Sequence, residues 1–285
     1  MNCVRAWAVI AVVALATVGY GNTSAGALKQ ISDELKAWIE KYAEPTIYNG
    51  KPVKIEFSPW QVALLQFGAA DTRSAVVCGG VSIDSVWVLT AAHCFFDPTT
   101  KSRKPDSKFY VGYNADDLTK AVAKVKIKRV VVNEKYDPRG KEFDVALVRL
   151  DTPIPVRGFM RLPSQAEATA LIKPGTRLTT TGWGLTEAGV KSNLLLEVEV
   201  PVVGFSDCSK HYNATLPANA ICAGEQGKDA CSWDSGGPLF KRAEDGQSVQ
   251  IGIVSYGNVC GRESPGVYTP VAAHLDWIAK TRSAK

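Results

Sequence analysis

Thr90-Ala91-Ala92-His93-Cys94 and, far downstream, Asp234-Ser235-Gly236-Gly237-Pro238 decide how this chain is read. A serine hydroxyl is a poor nucleophile until a base takes its proton, and histidine is the side chain suited to that near neutral pH. A carboxylate must then hold the imidazole in one tautomer. Asp144, in Phe143-Asp-Val-Ala-Leu-Val-Arg-Leu150, stands between the two strings and can supply it. The chain order His93, Asp144, Ser235 is one of the known orders for such a constellation. His211 and His274 lack this context.

Outward from these strings, short apolar runs alternate with Gly, Pro and Asp turns. Val62-Ala-Leu-Leu65, Val86-Trp-Val-Leu89, Val145-Ala-Leu-Val148 and Ile251-Gly-Ile-Val254 are examples. That rhythm predicts all-β barrels or sandwiches. Val271 to Lys280 carries Leu275 and Ile278 in helical phase. No internal repeat or long low-complexity run is present.

The N-terminus reads as a secretory signal: Arg5, then an uncharged apolar run Ala6 to Tyr20, then Ala25-Gly26-Ala27 as a cleavage site. The run is short for a membrane span. Residues 1–27 are therefore expected to be a signal peptide and the product a secreted, extracellular protein, with a membrane anchor as the plainer alternative for that run. In Leu28 to Thr46, Ile31, Leu35, Trp38, Ile39 and Tyr42 recur at helical spacing. This segment, 28–46, is read as a propeptide, with a helix docked on the domain as the plainer alternative.

Of seven cysteines, Cys3 leaves with the signal. Six in an oxidising compartment allow about 15 pairings, and sequence alone does not choose. No paired Cys-x-x-Cys favours metal, and no cofactor motif appears. The formal charge of +5 does not point to nucleic acid. Lys124, Lys126 and Lys128 alternate with Val125 and Ile127, as on a strand with one wet face. They form either a solvated face or a patch for anionic glycans or acidic substrates. Asn213-Ala-Thr215 is a glycosylation sequon.

The chain resembles the trypsin-like serine proteases of the chymotrypsin family from Ile47 to the C-terminus. Pro59-Trp-Gln-Val62, Thr181-Gly-Trp-Gly184, Ser255-Tyr-Gly257 and Gly266-Val-Tyr-Thr269 carry the likeness beside the strings already quoted. The resemblance implies two six-stranded antiparallel barrels, at about 47–150 and 161–270, with the active site between them. It also implies a crossover from Asp151 to Met160 and a closing helix at about 271–280. The protease domain would then run 47–285. Implied disulfides are Cys78–Cys94, Cys208–Cys222 and Cys231–Cys260.

Site roles follow from the same resemblance: His93 as base and acid, Asp144 as its orienting partner, Ser235 as nucleophile. The oxyanion hole would use the amides of Trp233 and Ser235. Asp229, six residues before Ser235, would sit at the base of the specificity pocket, with Ala230, Ser255, Gly257 and Gly266 as its walls. A buried carboxylate there selects Arg or Lys, and Ala230, which offers no hydroxyl, favours Arg. Cleavage before Ile47 would free an α-ammonium to pair with Asp234. The implied partners are protein or peptide substrates cut after Arg or Lys, and protein inhibitors, with the enzyme a monomer. Tyr113, where relatives with calcium carry an acid, argues against a calcium site.

Two residues depart from the family pattern. Trp233 replaces the usual glycine, so a Cβ threatens the turn that aims the amide, and the indole crowds the leaving-group side, where inhibitors dock. Thr46, not Arg or Lys, precedes Ile47, so the activator is not trypsin-like or the segment stays attached. These departures support a competing reading, a weakened or inactive homologue acting as a binding module. An esterase or lipase is disfavoured because the string around Ser235 is not Gly-x-Ser-x-Gly.

Overall fold

The computed structural model describes residues 50–284, apart from 187, 213–214, 244–246, 259 and 262–263. The signal peptide, the propeptide, Ile47 and Asn213 lie outside the described residues. The short first strand β1 (Lys51–Pro52) pairs with β9 (Leu196–Val203). Barrel one is closed by six antiparallel strands: β2 (Gln61–Gln66), β3 (Val76–Ser82), β4 (Trp87–Thr90), β5 (Phe109–Tyr113), β6 (Ala123–Val132) and β7 (Ala146–Leu150). They run in the order β2-β3-β4-β7-β6-β5.

Barrel two holds β8 (Arg177–Gly182), β9, β10 (Ile221–Ala223), β11 (Pro238–Lys241), β12 (Val249–Tyr256) and β13 (Gly266–Pro270). The order is β9-β10-β13-β12-β11-β8, and the β8–β9 pairing closes the ring. Among the described residues there are four short α-helices: α1 (Thr72–Ala75), α2 (Gln165–Leu171), α3 (Phe205–Ser209) and α4 (Leu275–Ser283). The two-barrel expectation therefore holds. The N-terminal segment differs from it: β1 belongs to the edge of barrel two, and barrel one begins at Gln61. The closing helix begins as a 3₁₀ turn at Val271–His274 and runs on to Ser283.

The pattern of β2 shows how the sequence builds the interior. Gln61-Val-Ala-Leu-Leu is buried on both faces. Val62 and Leu64 pack with Phe95, Phe109 and Leu147 inside barrel one, whereas Ala63 and Leu65 pack with Trp183 and Leu195. Successive strand residues point to opposite faces, so a continuous apolar run needs an apolar neighbour on each side. By contrast β9, Leu196-Glu-Val-Glu-Val, alternates between core and solvent. Each fully buried Leu or Val contributes about 1.5–3 kcal/mol.

The two barrels meet through buried polar and aromatic contacts. Thr181 Oγ1 donates to Gln61 Oε1 at 2.7 Å, joining the ends of β8 and β2. Trp60 packs edge-on against Phe240 with centroids 5.7 Å apart. Two of the quoted strings, Pro59-Trp-Gln-Val62 and Thr181-Gly-Trp-Gly184, are thus neighbours at the seam.

Candidate active site

His93 lies on a single 3₁₀ turn after β4, and Asp144 immediately precedes the buried Val145 that leads into β7. Antiparallel pairing of Thr90 with Ala146 brings the two together. Asp144 is fully buried, and both its oxygens are engaged. Oδ1 accepts from the His93 backbone amide at 2.8 Å. Oδ2 accepts from His93 Nδ1 at 2.7 Å and from Ser255 Oγ at 2.5 Å. Burial pushes the carboxyl upward, but the imidazole and these hydrogen bonds outweigh it and hold the pKa below the ordinary range. An ionised carboxylate only accepts, so Nδ1 must carry the proton and Nε2 is left as an acceptor. Ser255 thus supports Asp144 directly, a role that a place in the pocket wall does not reveal.

Ser235 sits on the turn before β11, partly exposed. Its carbonyl accepts from Gly79 N at 2.8 Å, next to the Cys78–Cys94 disulfide and one residue from His93. The turn requires glycine at Gly236, where φ is +80° and a Cβ would lie 2.2 Å from Thr90 Oγ1. Among the described residues no hydrogen bond joins Ser235 Oγ to His93 Nε2. Such bonds are often long in a free enzyme and tighten in the complex.

Trp233 adopts φ +73°, the left-handed region that glycine enters freely. The threatened loss of the turn does not occur: the tryptophan takes the glycine-like conformation. Asp234 N donates to Cys231 O at 3.0 Å and Leu185 N to Ser232 O at 2.9 Å, which pin the turn on either side. Among the described residues the amides of Trp233 and Ser235 meet no protein acceptor. The indole is partly exposed, and Lys191 Nζ lies 4.7 Å from its ring centroid. Lys191 in turn donates to Val76 O at 2.6 Å, so the indole leans towards the segment joining β2 and β3.

Asp234 is buried and faces inward. Oδ1 accepts from Gly184 N at 2.8 Å and Oδ2 from Cys231 N at 2.9 Å. Burial pushes its pKa up to about 7, against the pull of those two amides. Gly182 and Gly184 are glycines for its sake, since a Cβ on either would fall within 2.4 Å of a carboxylate oxygen.

A cavity of about 210 Å³ opens beside Ser235, lined by Ala230, Ser255, Gly257 and Gly266 among others. These are the expected walls. Asp229 stands just behind them and does not itself line the space. It is buried, its Oδ1 has no hydrogen-bond partner, and a Cβ on Gly266 would lie 3.0 Å from that oxygen. Burial raises its pKa to about 7, although the nearby amides of Gly261, Ala230 and Gly266 oppose the rise. The Cys231–Cys260 disulfide braces this wall, and Cys208–Cys222 closes the third expected pair. Lys141 also lines the cavity, with Nζ 5.0 Å from the Tyr256 ring centroid and its backbone at φ +55°. Nothing in its local sequence marked it, because it reaches the site only through the strained turn before Asp144. His274 is buried against Phe143, with its pKa lowered by burial, and His211 is exposed.

The sequence comparisons agree with this architecture. A family model described as Trypsin matches residues 47–278, and the chain belongs to that family of serine proteases. It is 33% identical over 246 residues to the venom peptide isomerase heavy chain of Agelenopsis aperta, covering 82% of this chain and 99% of that protein. It is 34% identical over 254 residues to serine protease 7 of Drosophila melanogaster, covering 82% of this chain and 64% of that protein. Clotting factor C of Tachypleus tridentatus is 34% identical over 256 residues, again covering 82% of this chain but only 25% of that protein.

Proposed function

We propose that the chain is a secreted serine endopeptidase that hydrolyses peptide bonds after Arg, and less well after Lys, through an acyl-enzyme. The observation that carries this reading is Asp229, a buried carboxylate with one unpartnered oxygen behind a cavity that opens beside Ser235. An arriving guanidinium would supply the missing partner bidentately.

On this reading the site works by general base and general acid catalysis. His93 Nε2 accepts the Ser235 proton as Oγ attacks the substrate carbonyl. Asp144 holds Nδ1–H and stabilises the imidazolium that results. The amides of Trp233 and Ser235 receive the developing oxyanion. Collapse expels the amine with the proton from His93, and water then repeats the sequence to release the acid.

Cleavage before Ile47 is proposed to deliver its α-ammonium to Asp234. Support comes from the burial of Asp234 and the rise of its pKa to about 7. A weakened homologue remains the second reading, and the exposed indole of Trp233 is what favours it.

Hydrolysis of Arg, Lys and Leu anilides by protein processed to begin at Ile47 tests the proposal. Ser235→Ala should fall to background. Asp229→Ser should lower the Arg rate by about 10²–10³, as expected when a buried charge partner is removed, with little effect on Leu. Equal rates on all three substrates in the parent would refute the pocket assignment.

A further inference from the structure

On the outer face of barrel one, Trp87 on β4, Arg149 on β7 and Arg129 on β6 form a row across three strands. Both guanidinium groups lie over the same indole, Arg149 at 5.2 Å and Arg129 at 5.8 Å from the ring centroid. Like charges placed directly opposite on paired strands are ordinarily destabilising. A bulge concentrates them further. The register shifts between Ile127 and Arg129, so Lys128 is the extra residue. Lys128, Arg129, Arg149 and Arg282 line one concavity of about 380 Å³ with Trp87, Ser283 and Ala284. Among the described residues no acid lines it. Arg282 reaches Asp84 at 2.7 Å, and Arg129 donates to the Ala284 carbonyl at 2.9 Å. Lys285 lies outside the described residues.

We propose that this concavity and the exposed lysines leading to it, Lys124 and Lys126, form an exosite for a linear sulfated polysaccharide. Alternate residues on a strand are roughly 6.6 Å apart, so the lysines present cations at regular intervals, as a chain of repeating sulfate esters would need. Contact with Trp87 restrains both guanidinium groups, and a restrained fork suits a two-oxygen edge of a sulfate group. Two other polyanions fit less well. Single-stranded nucleic acid is held on open aromatic faces that stack its bases. Here Trp87 is 4% exposed, and Lys124 already covers Tyr110 with Nζ 5.2 Å from its centroid. An acidic peptide would best add as a strand, but β6 is paired on both edges, with β5 and β7. The site is separate from the catalytic cleft, since Arg149 lies five residues along β7 from Asp144, roughly 16 Å of extended chain.

Binding of fluorescent dextran sulfate to the secreted full chain, at about 0.15 M salt, tests the proposal, because such contacts are screened at higher ionic strength. Arg129→Gln/Arg149→Gln should weaken binding about tenfold or more. Lys51→Gln/Lys241→Gln removes the same charge from barrel two and should change it less than about twofold. Poly-glutamate should bind at least about tenfold more weakly than dextran sulfate. The arginine variant should stay folded, since relief of the like-charged pair offsets part of the Trp87 contacts and the Ala284 hydrogen bond that it loses. If that variant fails to fold, Lys124→Gln/Lys126→Gln/Lys128→Gln carries the same test on exposed positions. Equal loss in the barrel-two control, equal affinity for poly-glutamate, or no binding by the parent would each overturn the exosite. None of these readouts depends on peptidase activity.

Discussion

Replacing Trp233 separates conformation from bulk. At φ +73° a residue with a Cβ carries strain of about 1–2 kcal/mol, which glycine does not. The indole offsets part of this through Lys191, whose Nζ lies 4.7 Å away, a contact worth about 0.5–1 kcal/mol at a partly exposed site. Glycine returns the strain but adds chain entropy to the unfolded state, costing about 0.5–1 kcal/mol. Trp233→Gly should therefore leave stability within about 1 kcal/mol of the parent. Trp233→Ala keeps the strain, loses the stacked cation, and should be about 0.5–1 kcal/mol less stable than the parent. Urea denaturation with a common m-value gives the ordering. On a small Arg ester the glycine variant should stay within about threefold of the parent, because the amide is already held in the glycine-like turn. A rigid protein inhibitor that spans the scissile bond should gain about tenfold in affinity, or about 1.4 kcal/mol, once the indole is gone. An alanine variant more stable than the parent would refute the strain and stacking account. An ester rate rising by about 10²–10³ in the glycine variant would show that tryptophan misdirects the oxyanion donor.

Gly236→Ala should abolish activity and cost more than about 4 kcal/mol, since its Cβ would meet Thr90 Oγ1 at 2.2 Å and Gly79 O at 2.6 Å at φ +80°; expression and thermal melting check it. The ratio of Arg to Leu cleavage should rise with pH through about 7, because Asp229 is protonated below that value and charged above it, and the ratio removes pH effects common to both substrates. Asp234 is raised from 3.8 to about 7 when folded, so its contribution is fully present below pH 3.8 and is lost as pH rises through 7, a change of order 4 kcal/mol. In protein starting at Ile47 the proposed α-ammonium should flatten that loss, and urea titrations of both forms at pH 4 and 8 compare them; identical pH profiles would exclude the pairing. Ser164→Ala breaks the reciprocal cap between Ser164 and Glu167 and should lower stability by about 1 kcal/mol with no effect on hydrolysis.

Motif strings made the two barrels, the three disulfides and the His93–Asp144 contact legible, because each string encodes a local turn and the family order supplies the rest. What escaped was set by contacts distant in sequence. β1 joins barrel two because Lys51 and Pro52 pair with Glu197 and Leu196, and no pattern in two residues announces that. Gly182 and Gly184 read as parts of a string, but their cause is the Asp234 carboxylate some 50 residues downstream. Lys141 reaches the cavity through two left-handed residues, Lys141 and Phe143, neither of a type that favours that conformation. Helix α2 could have been found: Ser164 followed by Glu167 is a capping-box signature, and the structure has both of its hydrogen bonds. The strand reading of Lys124, Lys126 and Lys128 was correct, but the bulge that adds Arg129 to their face was not visible in the alternation.

Asp229 and Asp234 share one physical condition, and it links specificity to processing. Both carboxyls are buried, and both are raised to about 7 chiefly by burial. Each therefore gains from an arriving cation more than an exposed carboxylate would, because water does not screen the encounter. On the proposed reading the two cations differ in kind. Asp234 takes an α-ammonium once, at processing, and the short Gly184 and Cys231 hydrogen bonds already hold its oxygens in place. Asp229 would take a guanidinium at every turnover, and its Oδ1 has no protein partner. The pair sits five residues apart, joined through Cys231, whose amide binds Asp234 and whose sulfur ties the pocket wall to Cys260. On that reading Cys231 is the element the two sites share, since its amide holds Asp234 and its disulfide holds the wall in front of Asp229.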